Sequence, residues 1–165
     1  MKKKAFTLIE LLIVIAIISI LASIVFLALD PLTRFRDARD AHRWADIHSV
    51  LNAIRINQVD NKGTFLPPVA NMELGKIYMI TNAAVSNGCA NYNSNCKVYV
   101  SGDNYCVDLS QLLISGYLGS VPVSPSAAVA WNNYATGYTL EKDSNDILTV
   151  RSCEAEDAVE IKLSR

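Results

Sequence analysis

Histidine and cysteine are the residues of this chain best suited to metal or nucleophilic chemistry, and their spacing argues against both. His42 and His48 stand six positions apart in a segment with helical periodicity, whereas a metal-binding pair on a helix needs three or four. The cysteines are separated by 7, 10 and 47 positions, unlike the Cys-x-x-Cys pairs of zinc sites. We therefore expect surface histidines and two disulfides, because an even number of cysteines in a small domain is typical of extracytoplasmic proteins.

Four cysteines allow three disulfide pairings, and the spacing favours one of them. We favour Cys89–Cys96 as a staple within one loop, with Cys106–Cys153 tying a short helix to a sheet. The crossed pairing, Cys89–Cys106 with Cys96–Cys153, is the main alternative.

Two acidic clusters offer oxygen ligands, with calcium as the metal to consider. The first, Asp143, Asn145 and Asp146, is explained by a plain turn. The second cluster consists of Glu154, Glu156 and Asp157. It lacks the glycine and the residue spacing of a calcium-binding loop. No set of nucleophile, base and orienting residue can be assembled, so we predict that the chain is not an enzyme. We also predict no cofactor; bound calcium is the alternative.

The charge balance argues against a nucleic-acid-binding domain. The chain has 15 basic and 16 acidic residues, a net charge of −1. From position 57 onward it has seven basic and eleven acidic residues, a net charge of −4. A nucleic-acid-binding domain shows a basic face, so we expect no direct nucleic acid binding.

The N-terminus combines three lysines, one carboxylate and a long apolar run. Residues 11–29 contain no charged residue, Pro or Gly, and 19 helical residues span roughly 28 Å, close to the ~30 Å hydrocarbon core of a bilayer. Residues 2–4 are lysines, which favour a cytoplasmic N-terminus. Glu10 lies at the start of the run, where a carboxylate at membrane depth costs about 2.5–3.5 kcal/mol and needs a partner.

This N-terminus resembles the class III leader of type IV pilins and of type II secretion pseudopilins. The resemblance rests on residues 6–12, which read Phe-Thr-Leu-Ile-Glu-Leu-Leu behind a short basic leader. It implies cleavage between Ala5 and Phe6, with Ala5 standing where the family usually has Gly, and N-methylation of Phe6. It also implies that Glu10 pairs with the Phe6 amine of a neighbouring subunit.

The same resemblance implies a function and a set of partners. The chain would be a structural subunit of a type IV pilus-like or type II secretion pseudopilus filament. Its partners would be copies of itself, other pilin-like subunits, a prepilin peptidase, an inner-membrane assembly platform and, before assembly, the lipid bilayer. The head would lie outside the cytoplasm, and the filament would be extracellular or periplasmic. The alternative is a single-pass anchored extracytoplasmic binding domain that does not polymerise.

The apolar run is followed by Pro31, which predicts either a kink in one long helix or the first turn of a second helix with Asp30 as its N-cap. Residues 30–57 read as an amphipathic helix whose charged residues, Arg43 among them, face away from the core. Its expected apolar face consists of Ala41, Trp44, Ile47, Leu51 and Ile54. Further resemblances to pilin-like chains lie at residues 38–41, 60–65 and 116–125, the last with Ser124 in place of the usual Asp.

The remaining residues predict an α+β head, and the whole chain is expected to have the pilin fold. We divide it into a leader (1–5), a transmembrane or filament-core helix (6–29), the amphipathic half of the long helix (30–57) and a disulfide-stapled head (58–165). Runs 76–81 and 97–101 are β-like, and residues 107–115 read as a short helix with Asp108 as N-cap, Gln111 as its capping-box partner and Gly116 at its end. Segments 138–142, 147–152 and 159–163 alternate apolar and polar residues, which predicts an antiparallel sheet of about three strands packed on the Trp44/Leu51 face.

Overall fold

The structure is a computed structural model that describes residues 6–84, 89, 96, 100–102, 104–126 and 129–165. The chain divides into two compact units, one ending at Arg36 and the other covering Asp37–Arg165. The layout is α+β, as predicted: a helical N-terminal segment is followed by a five-stranded mixed sheet.

The first unit contains the apolar helix α1, Leu8–Leu29. Its 22 residues span roughly 33 Å, which is long and apolar enough to cross a membrane. The hydroxyls of Ser19 and Ser23 donate to the carbonyls four residues earlier, at 2.7 and 2.8 Å. The two polar residues of the apolar run are therefore satisfied within the helix itself.

The helix is interrupted at Asp30, where φ is +35° and the second helix, α2 (Pro31–Asp60), begins. Pro31 occupies the first helical position. A backbone N–H at this position makes no intrahelical hydrogen bond, so proline costs the helix nothing there. The Asp30 carbonyl accepts from the Arg34 N–H at 3.3 Å, and its carboxylate accepts from the Thr33 hydroxyl at 2.7 Å. The interruption at Asp30 lies where the sequence predicted a kink or local opening, and α2 begins at Pro31 as the alternative interpretation predicted.

The second unit is built on the buried face of α2, and this face differs from the predicted one in its first half. Ile47, Leu51 and Ile54 are buried as predicted. Ala41 and Trp44, however, are exposed, and Arg43 is completely buried in their place. The observed face runs backward from Ile47 in steps of four and three through Arg43 and Asp40, because a polar loop covers that end of the helix.

Within the described residues the sheet has five strands in the order β2-β1-β3-β4-β5, two more than predicted. β1 and β2 pair in parallel, and the other neighbours pair antiparallel. The strands are β1 (Ile77–Thr81), β2 (Cys106–Asp108), β3 (Tyr138–Lys142), β4 (Leu148–Ser152) and β5 (Lys162–Ser164). β1 corresponds to the β-like run 76–81, whereas residues 97–99 of the other run lie outside the described residues.

The three C-terminal strands and the turn between the first two are confirmed. The Asp143 N–H donates to the Ile147 carbonyl at 3.0 Å and closes the β3–β4 turn. β5 begins at Lys162 rather than at Val159, whose side chain is fully exposed. The reason is that the backbone N–H groups of residues 156–158 bond to the Asp40 carboxylate of α2, and the first bond to β4 comes at Ile161, whose carbonyl accepts from the Ser152 N–H at 2.9 Å.

The predicted helix 107–115 is too long at its N-terminal end. The short helix α3, Pro67–Ala70, follows α2, and the next helix, α4, covers only Ser110–Ile114. Its start is later than predicted because Cys106–Asp108 pair with β1 as strand β2. Asp108 is not the N-cap; Leu109 holds that position without a side-chain bond. The Asp108 carboxylate does accept from the Ser110 N–H, at 2.9 Å.

The favoured disulfide pairing is wrong, and the crossed alternative is observed. Cys89 bonds to Cys106 and Cys96 bonds to Cys153, with Cα–Cα distances of 5.9 and 4.5 Å. Cys106 opens β2 and Cys153 follows β4, so they belong to well-separated strands of the sheet. All four cysteines meet in a small second core with Met79, Val100, Trp131 and Ala135.

The two disulfides are expected to differ in their contribution to stability. They close chain segments of 17 and 57 residues, and the loop-entropy model gives about 3 kcal/mol for the shorter and about 4 kcal/mol for the longer. Replacing Cys96 and Cys153 by serine should therefore lower the free energy of unfolding by about 1 kcal/mol more than replacing Cys89 and Cys106. Urea unfolding of the two double variants measures the difference. Non-reducing peptide mapping that recovers a Cys89–Cys96 peptide would contradict the pairing.

Candidate functional site

The first candidate site is the beginning of α1. Thr7 is its N-cap, and the Thr7 Oγ1 accepts from the Glu10 N–H at 3.3 Å. The Thr7 hydroxyl also lies 3.5 Å from the Glu10 Oε2. Glu10 thus sits in the first turn, where a carboxylate is favoured by the partial positive charge of the helix end.

The side chains of α1 are exposed throughout the part of it that the structure describes. Phe6, before the helix, is 74% exposed, and Leu8 is 89% exposed. A continuous apolar surface of this length does not remain in water, because burying apolar area is worth about 25 cal/mol per Å². The surface therefore needs lipid or other protein chains around it.

Comparison with known families gives one match, and it covers this segment. Residues 1–26 match the family model described as the prokaryotic N-terminal methylation motif. This match supports a type IV pilin-like prepilin. Neither the curated proteins nor the solved structures contained a match to the chain. The matched family is a structural one, and the prepilin leader together with the apolar helix supports a membrane-anchored protein.

The match places the predicted processing and assembly residues inside the prepilin motif. Ala5, one of the two predicted processing residues, lies outside the described residues. Phe6 and Glu10 are four positions apart: Phe6 precedes the N-cap of α1, and Glu10 lies in its first turn. The Glu10 carboxylate is exposed and can accept hydrogen bonds from a donor outside its own helix.

The second candidate site is a buried ion cluster in the head that the sequence analysis missed. The Arg43 guanidinium donates to the Asp40 Oδ1 at 2.6 Å, the Glu156 Oε1 at 3.0 Å, the Ser124 Oγ at 3.3 Å and the Pro125 carbonyl at 2.6 Å. Five N–H donors in a planar fork allow one Arg to make all these bonds. One feature of the sequence could have revealed this cluster. Asp40 and Arg43 precede the buried Ile47 at intervals of three and four residues, which places all three on one face of the helix.

Asp40 holds the segment between β4 and β5 against α2. Its carboxylate accepts the backbone N–H groups of Glu156, Asp157 and Ala158, at distances between 2.9 and 3.2 Å. Burial raises the pKa of Asp40, but these N–H groups together with Arg43 outweigh that effect, and the net pKa lies below its usual value. The ionised carboxylate is therefore the form that the fold requires.

The remaining carboxylates of this acidic segment are also paired. Glu156 accepts from Arg39, which lowers the pKa of Glu156, as does Arg43 to a smaller extent. Glu154 accepts from the Trp131 Nε1–H at 3.1 Å and lies 3.5 Å from Arg43. The acidic cluster considered for calcium is thus part of an ion network with the α2 arginines.

Among the described residues, no group of three His, Cys, Asp or Glu side chains is placed to hold a metal ion. The Asp143 Oδ1 accepts the N–H groups of Asn145 and Ile147, each at 2.8 Å, as a turn residue does. His42 and His48 are both exposed, and the His42 Nδ1 lies 3.0 Å from the Asp46 Oδ2.

A buried tyrosine links α2 to β3 beside the ion cluster. Tyr138 is 1% exposed, and its hydroxyl donates to the Asp46 Oδ2 at 2.5 Å. Burial raises the pKa of Tyr138 far above its usual value, and the bond to Asp46 adds to this effect. The tyrosine therefore stays protonated and remains a hydrogen-bond donor.

Acid should weaken the head through Asp40 and Glu156. Their ordinary pKa values are 3.8 and 4.5, and both are lowered by folding, so their stabilisation is fully present above those values. It is lost as pH falls through the lower folded-state values, because the unfolded chain then binds more protons. Urea unfolding monitored by Trp131 fluorescence should therefore give a lower free energy of unfolding at about pH 3 than at about pH 6.

The variant Glu156→Gln removes one of the two groups and should show a smaller difference between the two pH values. Glu73→Gln, which removes an exposed carboxylate outside the cluster, is the matched control and should behave like the unmodified chain. An equal pH dependence in Glu156→Gln and the unmodified chain would argue against the role given to Glu156.

Proposed function

We infer that this protein is a pilin-like structural subunit. It is made as a membrane-inserted precursor, cleaved between Ala5 and Phe6, and assembled from the membrane into a type IV pilus-like or type II secretion pseudopilus filament. The observation that carries this proposal is the prepilin motif at residues 1–26, which places Glu10 in the first turn of an apolar, exposed helix.

The exposed apolar surface of α1 would be covered first by lipid and later by other subunits. Before assembly the apolar side chains would lie in lipid, with Lys2, Lys3 and Lys4 on the cytoplasmic side. After assembly, α1 helices of other subunits would cover the same surface. The internal bonds of Ser19 and Ser23 suit both environments, because neither hydroxyl needs an external partner.

Assembly also supplies a partner for Glu10. Cleavage before Phe6 creates a new α-amino group, which is largely protonated at neutral pH. Pairing of that amine with the Glu10 carboxylate of a neighbouring subunit would compensate the cost of placing a carboxylate at membrane depth. An N-methyl group on the amine leaves its positive charge in place.

The head would lie outside the cytoplasm, where disulfides persist. Its two disulfides and the ion cluster hold the loops of the head to the sheet and to α2. Its partners would be other copies of this chain and other pilin-like subunits. The prepilin peptidase and the inner-membrane assembly platform would act on the N-terminal segment.

The mature N-terminus tests this proposal. Protein purified from its native membrane or from sheared filaments should begin at Phe6, and mass spectrometry should show one added methyl group on the N-terminal peptide. A chain that retains Lys2–Lys4 and Ala5 would contradict the proposal. That result would favour an anchored binding domain that does not polymerise.

A further inference from the structure

The head contains a cavity of ≈ 490 Å³ at the C-terminal end of α2. Its walls come from that helix end, from the segment that follows it, and from α4 and the turn after it. Small-molecule sites usually enclose about 300–1,000 Å³, so the cavity has the size of a ligand site. It lies entirely within the second unit and away from the ion cluster.

The lining of the cavity is polar but uncharged. It presents the amides of Asn57, Asn61 and Gln111 and the hydroxyl of Tyr117 beside an apolar wall that includes Phe65 and Pro67. Among the described residues that line it, none carries a formal charge. Amide and hydroxyl groups both donate and accept, so the cavity suits a ligand whose groups do the same.

Two turns, each containing a glycine with positive φ, position the residues that line the cavity. Gly63 and Gly116, with φ of +88° and +76°, turn the chain back after α2 and α4 and so bring the two walls together. The Gly63 N–H bonds to the Gln58 carbonyl at 2.8 Å, and the Tyr117 N–H bonds to the Leu112 carbonyl at 2.9 Å. Backbone hydrogen bonds in the two turns thus fix the positions from which the lining side chains extend.

Asn57 is the residue of the lining that most needs explaining. It is 7% exposed, and within the described part of the chain its Oδ1 is buried without a hydrogen-bond partner. A buried acceptor without a partner costs free energy unless water or a ligand reaches it after a small adjustment. Nearby, the Asp60 carboxylate interacts with the Tyr117 hydroxyl and raises the pKa of Tyr117, so the tyrosine stays protonated.

We propose that this cavity binds a neutral, polyhydroxylated ligand, such as a single sugar or the terminal sugar of a glycan. Anionic ligands find no cation among the described lining residues. The carboxylate beside the lining, that of Asp60, is already bonded to the Tyr117 hydroxyl and is not itself part of the lining, which disfavours cationic ligands. A peptide that binds by β-augmentation adds a strand to a sheet edge, whereas the described lining lies on helices and turns. Sugar hydroxyls match the amides, and the C–H face of a sugar matches the apolar wall.

The test uses the full chain in a zwitterionic detergent, since detergents with sugar headgroups would compete. Saturation-transfer NMR with glucose, galactose, mannose and N-acetylglucosamine, each at up to about 10 mM, should detect binding of at least one. A trisaccharide ending in that sugar forms the second arm. Tighter binding of the trisaccharide identifies a glycan terminus as the ligand, and equal binding identifies the free sugar.

Two variants tie the binding to the cavity. Gln111→Leu and Tyr117→Phe each remove a polar group, and each should weaken binding roughly 3- to 10-fold. Asn145→Ala removes an exposed amide in the β3–β4 turn and should bind as the unmodified chain does. Near-UV circular dichroism checks that each variant is folded.

The proposal is overturned if no saccharide binds to the folded chain. It is also overturned if both cavity variants bind as tightly as the control. A third contrary result is stronger binding of an uncharged peptide, tri-alanine amide, that depends on Gln111 and Tyr117. Filament formation plays no part in these measurements, so their outcome is separate from that of the mature N-terminus.

Discussion

Replacing Arg43 by alanine is expected to lower the free energy of unfolding of the head by about 3–5 kcal/mol. Arg43 is completely buried and bonds to Asp40 and Glu156, which are also largely removed from water. Without the guanidinium, the two carboxylates lose the cation that they share, although Asp40 keeps its backbone N–H bonds and Glu156 keeps Arg39. Domains of this size are stable by only about 5–15 kcal/mol, so the loss would be a large fraction of the total.

The structure indicates which contacts fail first in this variant. Repulsion between Asp40 and Glu156 would weaken the three backbone bonds that Asp40 accepts from the segment between β4 and β5. That segment leads into β5, the edge strand of the sheet. Amide hydrogen exchange should therefore increase first at residues 156–158 and then in β5.

The measurement is urea unfolding of the full chain in detergent, followed by the fluorescence of Trp131, which is 8% exposed in the head. Arg36→Ala is the matched control, because Arg36 lies on the same helix and is exposed. The control should change the unfolding free energy by no more than about 0.5 kcal/mol. Equal stability of the two variants would show that the cluster contributes little to the fold.

Replacing Glu10 by leucine is expected to abolish filament formation while leaving membrane insertion intact. Leucine is more favourable than glutamate in a membrane-spanning helix by about 3 kcal/mol, so the precursor should accumulate in the membrane at least as well. In the filament, however, the Phe6 amine of each neighbour would lose its carboxylate. Breaking one partner of a desolvated pair costs about 3–5 kcal/mol, which corresponds to a loss of more than about 100-fold in assembly.

The measurement is the amount of protein in sheared filaments relative to that in the membrane fraction. Ser19→Ala is the matched control: it removes a polar group from the same helix, but one whose hydroxyl bonds within its own chain, to the Ile15 carbonyl. The control should assemble normally. Normal filaments from Glu10→Leu would exclude the pairing proposed for Glu10, and failure of both variants would show that α1 tolerates no change.

The sequence by itself was sufficient for the features that depend on local order. The prepilin motif needs only its own residues in the right order, and the membrane-length helix follows from an unbroken apolar run. The hairpin of β3 and β4 was predictable for the same reason, since alternation and turn residues are local signals. The end of α4 at Gly116, with its positive φ, belongs to this group as well.

Tertiary structure decided the features that depend on distant partners. β2 is a strand only because β1 lies beside it, and its three residues carry too little local preference to reveal that. Cys106 could be matched to Cys89 only after the sheet placed them together, because spacing along the chain does not determine distance in space.

Arg43 is the clearest case. The sequence predicts that a charged residue on an amphipathic helix is exposed to solvent. Arg43 can be buried because two loops folded over α2 supply the Pro125 carbonyl and the Glu156 carboxylate, which add to Asp40 on the same helix. Local order along the chain thus determined the membrane-length helix and the residues by which we propose that this protein joins a filament. The long-range contacts decided how its head is held together, because burying a charge depends on partners more than a hundred residues away.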